Sequence, residues 1–329
     1  MYDIGTIPQS QILLDIHPKT GKLAPWQKHK KSTVALAESF RRIEKTDAGF
    51  KGRASKLENC GNWLEFRRYL DSGEKTLNRA NFCRYRLCPM CGWRRSQKMF
   101  GQTSQVMDIA EKEGYRFVFV TLTIRNCEGS ALGKDISRLF RAWSNLLRQK
   151  KYKSAVCGWM RILEITHNVD RKSESFNTYH PHIHAIWAVK PSYFKGGNYI
   201  PQAALIQDWK KAAHLSYDPN VDIRAVRKNR THGAIKEVSK YATKSDDYLT
   251  DDDELTDSGV KILDRALVGR RLVSWGGSLK EIKAQLNLDD VETGDLIHVD
   301  GEQIRDDLAY VIESYSWHAG YKQFIKKEC

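Results

Sequence analysis

The run His180-Pro181-His182-Ile183-His184 puts an imidazole at every second position. Alternate side chains of a β-strand share a face, so His182 and His184 can grip one metal ion from one side. Residues 182–189, rich in Ile, Val and Trp, read as that strand, with Ile183, Ala185 and Trp187 on the opposite, core-facing side. A lone His-x-His pair carries little information, and its surroundings decide its weight. His180 is read as a hydrogen-bonding residue of the connection rather than a third ligand.

Upstream, WMRILEITHN (159–168) reads as a second strand, separated from HPHIHAIWAV by a polar loop containing Asn177. Pairing the two as a long antiparallel hairpin brings Glu164 near His182 and His184. Two imidazoles and a carboxylate make a three-ligand set with open positions, the form of a catalytic divalent-metal centre, with Mg²⁺ or Mn²⁺ the expected ion. The competing reading makes Glu164 an exposed strand carboxylate or a partner of Arg161.

A second candidate lies in EVSKYATKSDDYL, which reads as a helix from about Gly233 to Asp246. Glu237, Tyr241 and Lys244 are four and three apart and project from one face. A tyrosine hydroxyl between a carboxylate and an ammonium has the makings of an assisted nucleophile. Glu-x-x-x-Tyr is also a common surface pair. Tyr248, two turns on, reads as a packing or DNA-contacting residue.

The third cluster is cysteine. Cys83, Cys88 and Cys91 follow the spacing C-x4-C-x2-C in NFCRYRLCPMCGW, and Cys60 can complete the set across a loop. Thiolates two residues apart on a tight turn suit one tetrahedral structural Zn²⁺, and a redox Cys-x-x-Cys is the competing use. Arg84, Arg86, Arg94, Arg95 and Lys98 flank the cluster, so the module is expected to touch DNA phosphates. Cys127, Cys157 and Cys329 read as ordinary thiols.

These groups need elements to hold them. YRFVFVTLTI (115–124) reads as a buried strand with Thr121 and Thr123 on one face, followed by Asn126. Residues 132–149 have helical periodicity, with Leu139, Trp143, Leu146 and Leu147 on one stripe. A helix over 201–214 and a strand at VDIRAVRK lead to the tyrosine segment.

The 329 residues suffice for one large core or two smaller ones. Net charge is +14 but uneven: residues 246–329 hold 19 acids against 10 bases, leaving the first 245 with a net +23. So basic a body has the electrostatic footprint of a nucleic-acid binder. Seven acids and no bases between 246 and 257 are expected to form an exposed linker at a domain boundary. The acidic C-terminal part is read as facing another subunit, recruiting a partner, or shielding the DNA site. No apolar run is long enough to span a bilayer, and MYDIGTIPQSQ lacks the regions of a signal peptide, so a cytoplasmic protein without membrane contact is expected.

In this order, CRYRLCPMCGWRR, FVTLTIRN, RILEITHN, HPHIH and EVSKYATKSDDYL resemble the rolling-circle plasmid replication initiators of the Rep_1 family, within the HUH endonuclease superfamily. The resemblance covers about residues 57–250, and RRLVSWGGSLKEI (270–282) also looks familial. It implies an α+β fold: a central antiparallel sheet of HUH type flanked by helices, with the metal histidines on a central strand and the tyrosine on a nearby helix. It further implies nicking of one strand at a plasmid origin, a 5′-phosphotyrosine link and a free 3′-hydroxyl primer. By motif, Tyr241 is then the nucleophile, His182, His184 and Glu164 hold the metal, and Glu237 activates water at termination. Lys244 would assist the nucleophile.

The expected organisation is a basic segment (1–56), a cysteine zinc module with a basic helix (57–110), the HUH nickase domain (111–250) and an acidic, mainly helical region (251–329). Expected partners are origin DNA, single-stranded or extruded as a hairpin, with a host helicase and DNA polymerase; a homodimer stays open. Two other readings remain at this point. One is a zinc DNA-binding regulator without catalysis. The other is a histidine-triad nucleotide hydrolase, against which Pro181 and the basic body count.

Overall fold

The computed structural model describes residues 8–16, 21–196, 198–227, 231–239, 245–299 and 305–327, with the backbone alone at Gln9, Thr231, His232 and Glu237. In chain order come helices α1 (Trp26–Thr46) and α2 (Arg53–Glu58), strands β1 (Trp63–Tyr69) and β2 (Lys75–Ala80), and helix α3 (Pro89–Lys112). Then follow β3 (Arg116–Thr123), α4 (Gly129–Arg148), α5 (Lys150–Ala155), β4 (Gly158–His167), β5 (Tyr179–Val189), α6 (Gln202–Ala212), β6 (Val221–Ala225) and α7 (Thr231–Val238). The last elements are α8 (Asp253–Leu267), β7 (Val273–Gly276), α9 (Gly277–Gln285), β8 (Tyr310–His318) and β9 (Gln323–Lys326). The protein is thus mixed α and β, and its two sheets are antiparallel throughout.

The chain forms two compact units: Met1–Arg94 with Asp295–Cys329, and Arg95–Gly294. In the first unit the sheet order is β2-β1-β8-β9. Leu64 and Phe66 point inward from β1, opposite Tyr315 and Glu313 of β8. Leu36, Phe40 and Ile43 recur at helical spacing and bury one stripe of α1.

In the second unit the sheet order is β6-β3-β5-β4-β7. Central strand β5 is buried on both faces, which is why it reads as a nearly unbroken apolar run. One face packs Phe117, Phe119, Met160, Ile162 and Ile186 against Met99, Val106, Ile235, Val238 and Ile282 from the helices. Against the other face lies α4, burying Leu132, Ile136, Leu139, Trp143 and Leu146. Trp143 sits edge-on to Trp159 at 5.2 Å and tilted to Trp187 at 6.5 Å.

The chain divides differently from the four segments expected. Residues 251–329 form no separate helical region: β7 pairs with β4 in one sheet, and β8 pairs with β1 in the other. The acidic stretch 246–257 starts a helix inside the second unit and is no linker. Asp252 accepts from the Glu254 and Leu255 backbone N–H groups, and Asp253 and Glu254 complement the N-terminal end of α8. The tyrosine helix is described as α7 only to Val238. No helix among the described residues is long and apolar enough to cross a membrane.

Candidate metal centre and cysteine cluster

Strand register assembles the first site. Glu164 lies opposite His182 across β4 and β5, while Thr121 and Thr123 of β3 lie opposite His184 and His182. Directly paired residues share a face, so these side chains converge where the core-facing side of the sheet gives way to polar groups. Glu164, His182 and His184 are all less than a tenth exposed. Nε2 of His184 is 3.1 Å from a Glu164 carboxylate oxygen and 3.1 Å from Nε2 of His182, and His182 is 3.6 Å from the same oxygen.

Two further contacts decide what these atoms can bind. His182 Nδ1 donates to the His180 carbonyl at 3.1 Å, which leaves Nε2 of the neutral ring carrying the lone pair. His184 Nδ1 is 3.0 Å from Thr121 Oγ1, a contact that holds the second ring with its Nε2 towards the first. Both Nε2 atoms and one Glu164 oxygen thus face one another within a buried space, a donor set that one cation could share. Ligand atoms about 2.1 Å from a common ion, at angles of about 90° to 110°, would be roughly 3.0–3.4 Å apart. Two of the three separations fall in that range, and the third, His182 to Glu164 at 3.6 Å, lies just above it.

His180 stacks on His182 at 5.1 Å. Burial lowers its pKa, with the neighbouring His182 adding to the effect and a backbone bond to Ile124 opposing it. Its carbonyl is what turns His182. The Thr121–Thr123 alternation was visible in the sequence, but its role against the histidines was not assigned. Phe119 packs on His184 at 5.6 Å, and the guanidinium of Arg224 lies 4.7 Å over the Phe119 ring.

Tyr241 and Lys244 lie outside the described residues, and the side chain of Glu237 is not described. Helix α7, which leads to them, packs Ile235 and Val238 onto the same sheet face that carries the trio. Tyr248 is buried, 1 % exposed, and so packs rather than facing DNA.

The second site, in the other unit, gathers four thiols from three stretches of chain: Cys60 after α2, Cys83 after β2, and Cys88 and Cys91 at the start of α3. Cys60 is 3.6 Å from Cys91 and 3.5 Å from Cys88, and Cys83 is 3.8 Å from Cys91. Tetrahedral zinc with bonds of about 2.3 Å would hold its sulfurs about 3.75 Å apart. Backbone N–H groups of Cys83 and Tyr85 donate to Cys60 and Cys83 sulfur. Arg84 takes φ of 57°, turning the chain back towards the cluster.

Among the thiols, Cys88 is held well below the ordinary value: burial opposes ionisation, and hydrogen bonds from Cys60, Cys83 and Cys91 outweigh it. Cys60 and Cys91 are pushed well above, first through their hydrogen bonds to Cys83 and Cys60 respectively. Lys30, fully buried in α1, donates to the carbonyls of Glu58 (2.8 Å) and Cys60 (2.7 Å). It fixes the Cys60 loop and places positive charge beside the sulfurs.

A family model described as replication protein, Rep_1, matches residues 74–325. A protein named "Protein rep" from Bacillus amyloliquefaciens is 37 % identical over 342 residues, covering 96 % of this chain and 97 % of its own. "Protein rep" from Lactiplantibacillus plantarum is 39 % identical over 295 residues, covering 86 % of this chain and 89 % of its own. The chain belongs to the Rep_1 family. No solved structure matches it. Membership places the chain in plasmid replication as an initiator, a role exercised on origin DNA.

The basic flank of this Rep_1 chain needs correction. Arg94, Arg95 and Lys98 are 2 %, 2 % and 4 % exposed, too buried to meet phosphates. Arg94 donates to the Leu296 and Ile297 carbonyls, Arg95 to the Glu292 carbonyl, and Lys98 pairs with Asp289. Buried cations persist only when paired, and each of these is. Arg84 remains exposed and Arg86 half-buried, so the expected DNA contact narrows to them.

Proposed function

We propose that this Rep_1 protein is a metal-dependent, site-specific single-strand DNA endonuclease and strand transferase that starts rolling-circle replication. The reading takes the second unit as an HUH-type nickase. The observation that carries it is the buried Glu164–His182–His184 trio, on the sheet face against which α7, the helix preceding Tyr241 in the chain, packs. Glu164, His182 and His184 would hold Mg²⁺ or Mn²⁺, which when bound polarises the scissile phosphate and offsets charge on its oxygens.

The chain's own residues do the rest. The Tyr241 phenolic oxygen attacks phosphorus as the bond to the 3′-oxygen breaks. The tyrosine proton passes to a base, with Lys244 assisting, and the departing 3′-oxygen takes up a proton to become the primer hydroxyl. Phenolate is a reasonable leaving group, so the 5′-phosphotyrosine link can be reversed by a 3′-hydroxyl or by water directed by Glu237. The four cysteines would hold a structural Zn²⁺ that fixes the Cys60 loop and the start of α3, presenting Arg84 and Arg86 to phosphates. Origin DNA is taken as a single strand or extruded hairpin, and a helicase and polymerase extend the primer.

The test incubates wild type and Tyr241→Phe with a labelled origin-strand oligonucleotide in Mn²⁺ or EDTA. A covalent adduct that needs metal and vanishes in the variant supports the reading. Origin binding without an adduct from wild type overturns it in favour of a zinc-dependent regulator.

A further inference from the structure

Packing explains most of RRLVSWGGSLKEI (270–282). Arg270 donates to the Ala266 and Gly133 carbonyls and to Ser137 Oγ, tying the approach to β7 onto α4. Leu272, Val273, Leu279 and Ile282 are core residues. A Cβ on Gly276 would lie 2.3 Å from the Trp159 ring, and one on Gly277, where φ is +55°, would lie 2.2 Å from the Cys157 carbonyl oxygen.

What packing leaves over is Lys280 and part of Trp275. Trp275 packs against the core of the second unit but is only partly buried, and Lys280 is exposed with no hydrogen bond or ion pair among the described residues. With Trp159, Arg271, Ser274 and Lys283 they border an open groove of about 600 Å³ along β7, the edge strand of the sheet. Among the described residues its lining holds two indoles, three cations and no carboxylate. Arg271 is set in place by Asp290 and the Val273 carbonyl, and Lys283 by the Leu288 and Asp289 carbonyls, so two cations are pre-positioned and Lys280 is left to reach.

We propose that this groove binds single-stranded DNA, with a base stacked on Trp275 and phosphates met by Lys280 and Arg271. A partly exposed indole, Trp275, beside Arg271 and Lys280 suits a strand whose bases are unpaired. A duplex keeps its bases stacked on each other and offers no face to Trp275. Trp159 and Met160 of β4 pair with β7, and Glu164 lies four residues beyond Met160, about 13 Å along that strand. A single strand held in the groove therefore starts within a few nucleotides' reach of the metal trio.

The inference rests on the chain acting on DNA, but not on nicking. Fluorescence anisotropy with labelled oligothymidylate, which contains no origin, tests it in buffer without added divalent ion. Trp275→Ala and Lys280→Ala are expected to bind about tenfold and a few-fold more weakly, and Trp275→Phe, which keeps a ring, close to wild type. Because Lys280 is exposed, its loss leaves folding intact even if Trp275→Ala does not. Full binding by both alanine variants, equal loss in Trp275→Phe and Trp275→Ala, or equally tight duplex binding with the same dependence would each overturn the proposal. Absence of the Tyr241 adduct with these effects intact would overturn the nickase reading alone.

Discussion

Glu164 stands opposite His182 in the strand register, yet its carboxylate approaches His184 more closely, at 3.1 Å against 3.6 Å. The carboxylate reaches diagonally across β5, so both rings and one oxygen close on a common point. Neither ring alone is Glu164's partner. The three groups are placed so that they could share one cation.

That point depends on the outer contact from Thr121. Thr121→Val removes the oxygen 3.0 Å from His184 Nδ1 while keeping shape and volume. Mn²⁺ affinity, followed by titration, is expected to fall about 10- to 100-fold. An unchanged affinity would mean that the Thr121 contact does not hold His184 for the metal.

Cys60 is the cysteine most distant in sequence from the other three, and it decides the zinc assignment. Wild type is expected to carry about one zinc per chain, and Cys60→Ser to lose it together with thermal stability of the first unit. Cys157→Ser is the control, since Cys157 lies outside the cluster. Elemental analysis beside a melting curve reads both. Full zinc in Cys60→Ser would leave a three-cysteine site.

The basic flank separates into two behaviours. Arg94→Ala strands the Leu296 and Ile297 carbonyls and should cost about 2–4 kcal/mol of stability in denaturant titrations. Arg84→Ala should leave stability within about 0.5 kcal/mol and lower the salt dependence of DNA binding by about one phosphate contact. The reverse pattern would return Arg94 to the DNA interface.

Glu313 gives the first unit an acid sensitivity. Burial would raise its pKa, but bonds from Lys326, Lys75 and Tyr315 overcome that and hold it at about 2, against an ordinary 4.5. A depressed carboxylate contributes stability above its unfolded pKa and loses it as pH falls through the folded one. The advantage of wild type over Glu313→Gln should therefore be full above pH 4.5, on the order of 2–3 kcal/mol, and shrink between 4.5 and 2. Comparing the two proteins at each pH cancels acid loss of metal, which both share. A gap independent of pH would mean that the ion pairs do not set this stability.

The sequence made local relationships legible. The period-two pattern and the polar hairpin were enough to pair β4 with β5 and to bring Glu164 to the histidines, because register follows from which face is apolar. Cysteine spacing likewise located the cluster. Distant pairings left no such trace: nothing in WLEFRRY announces that its partner is YVIESYSWH, nearly 250 residues later. Nor could charge counting tell that Arg94, Arg95 and Lys98 are inside, since their partners, three of them carbonyls, come from 289–297. The acidic excess of the C-terminal part is answered locally in the same way, through Asp252 with Arg171, Asp290 with Arg271 and Asp306 with Arg67.

The pairing of β1 with β8 has a consequence for how the protein is made. A ribosome that has just finished Tyr69 must add some 240 more residues before Tyr310 emerges to meet it. Residues 95–294, whose sheet draws on no strand outside them, can fold in the interval. Translation that stops before residue 310 therefore yields a chain whose first sheet lacks β8 and β9, two of its four strands.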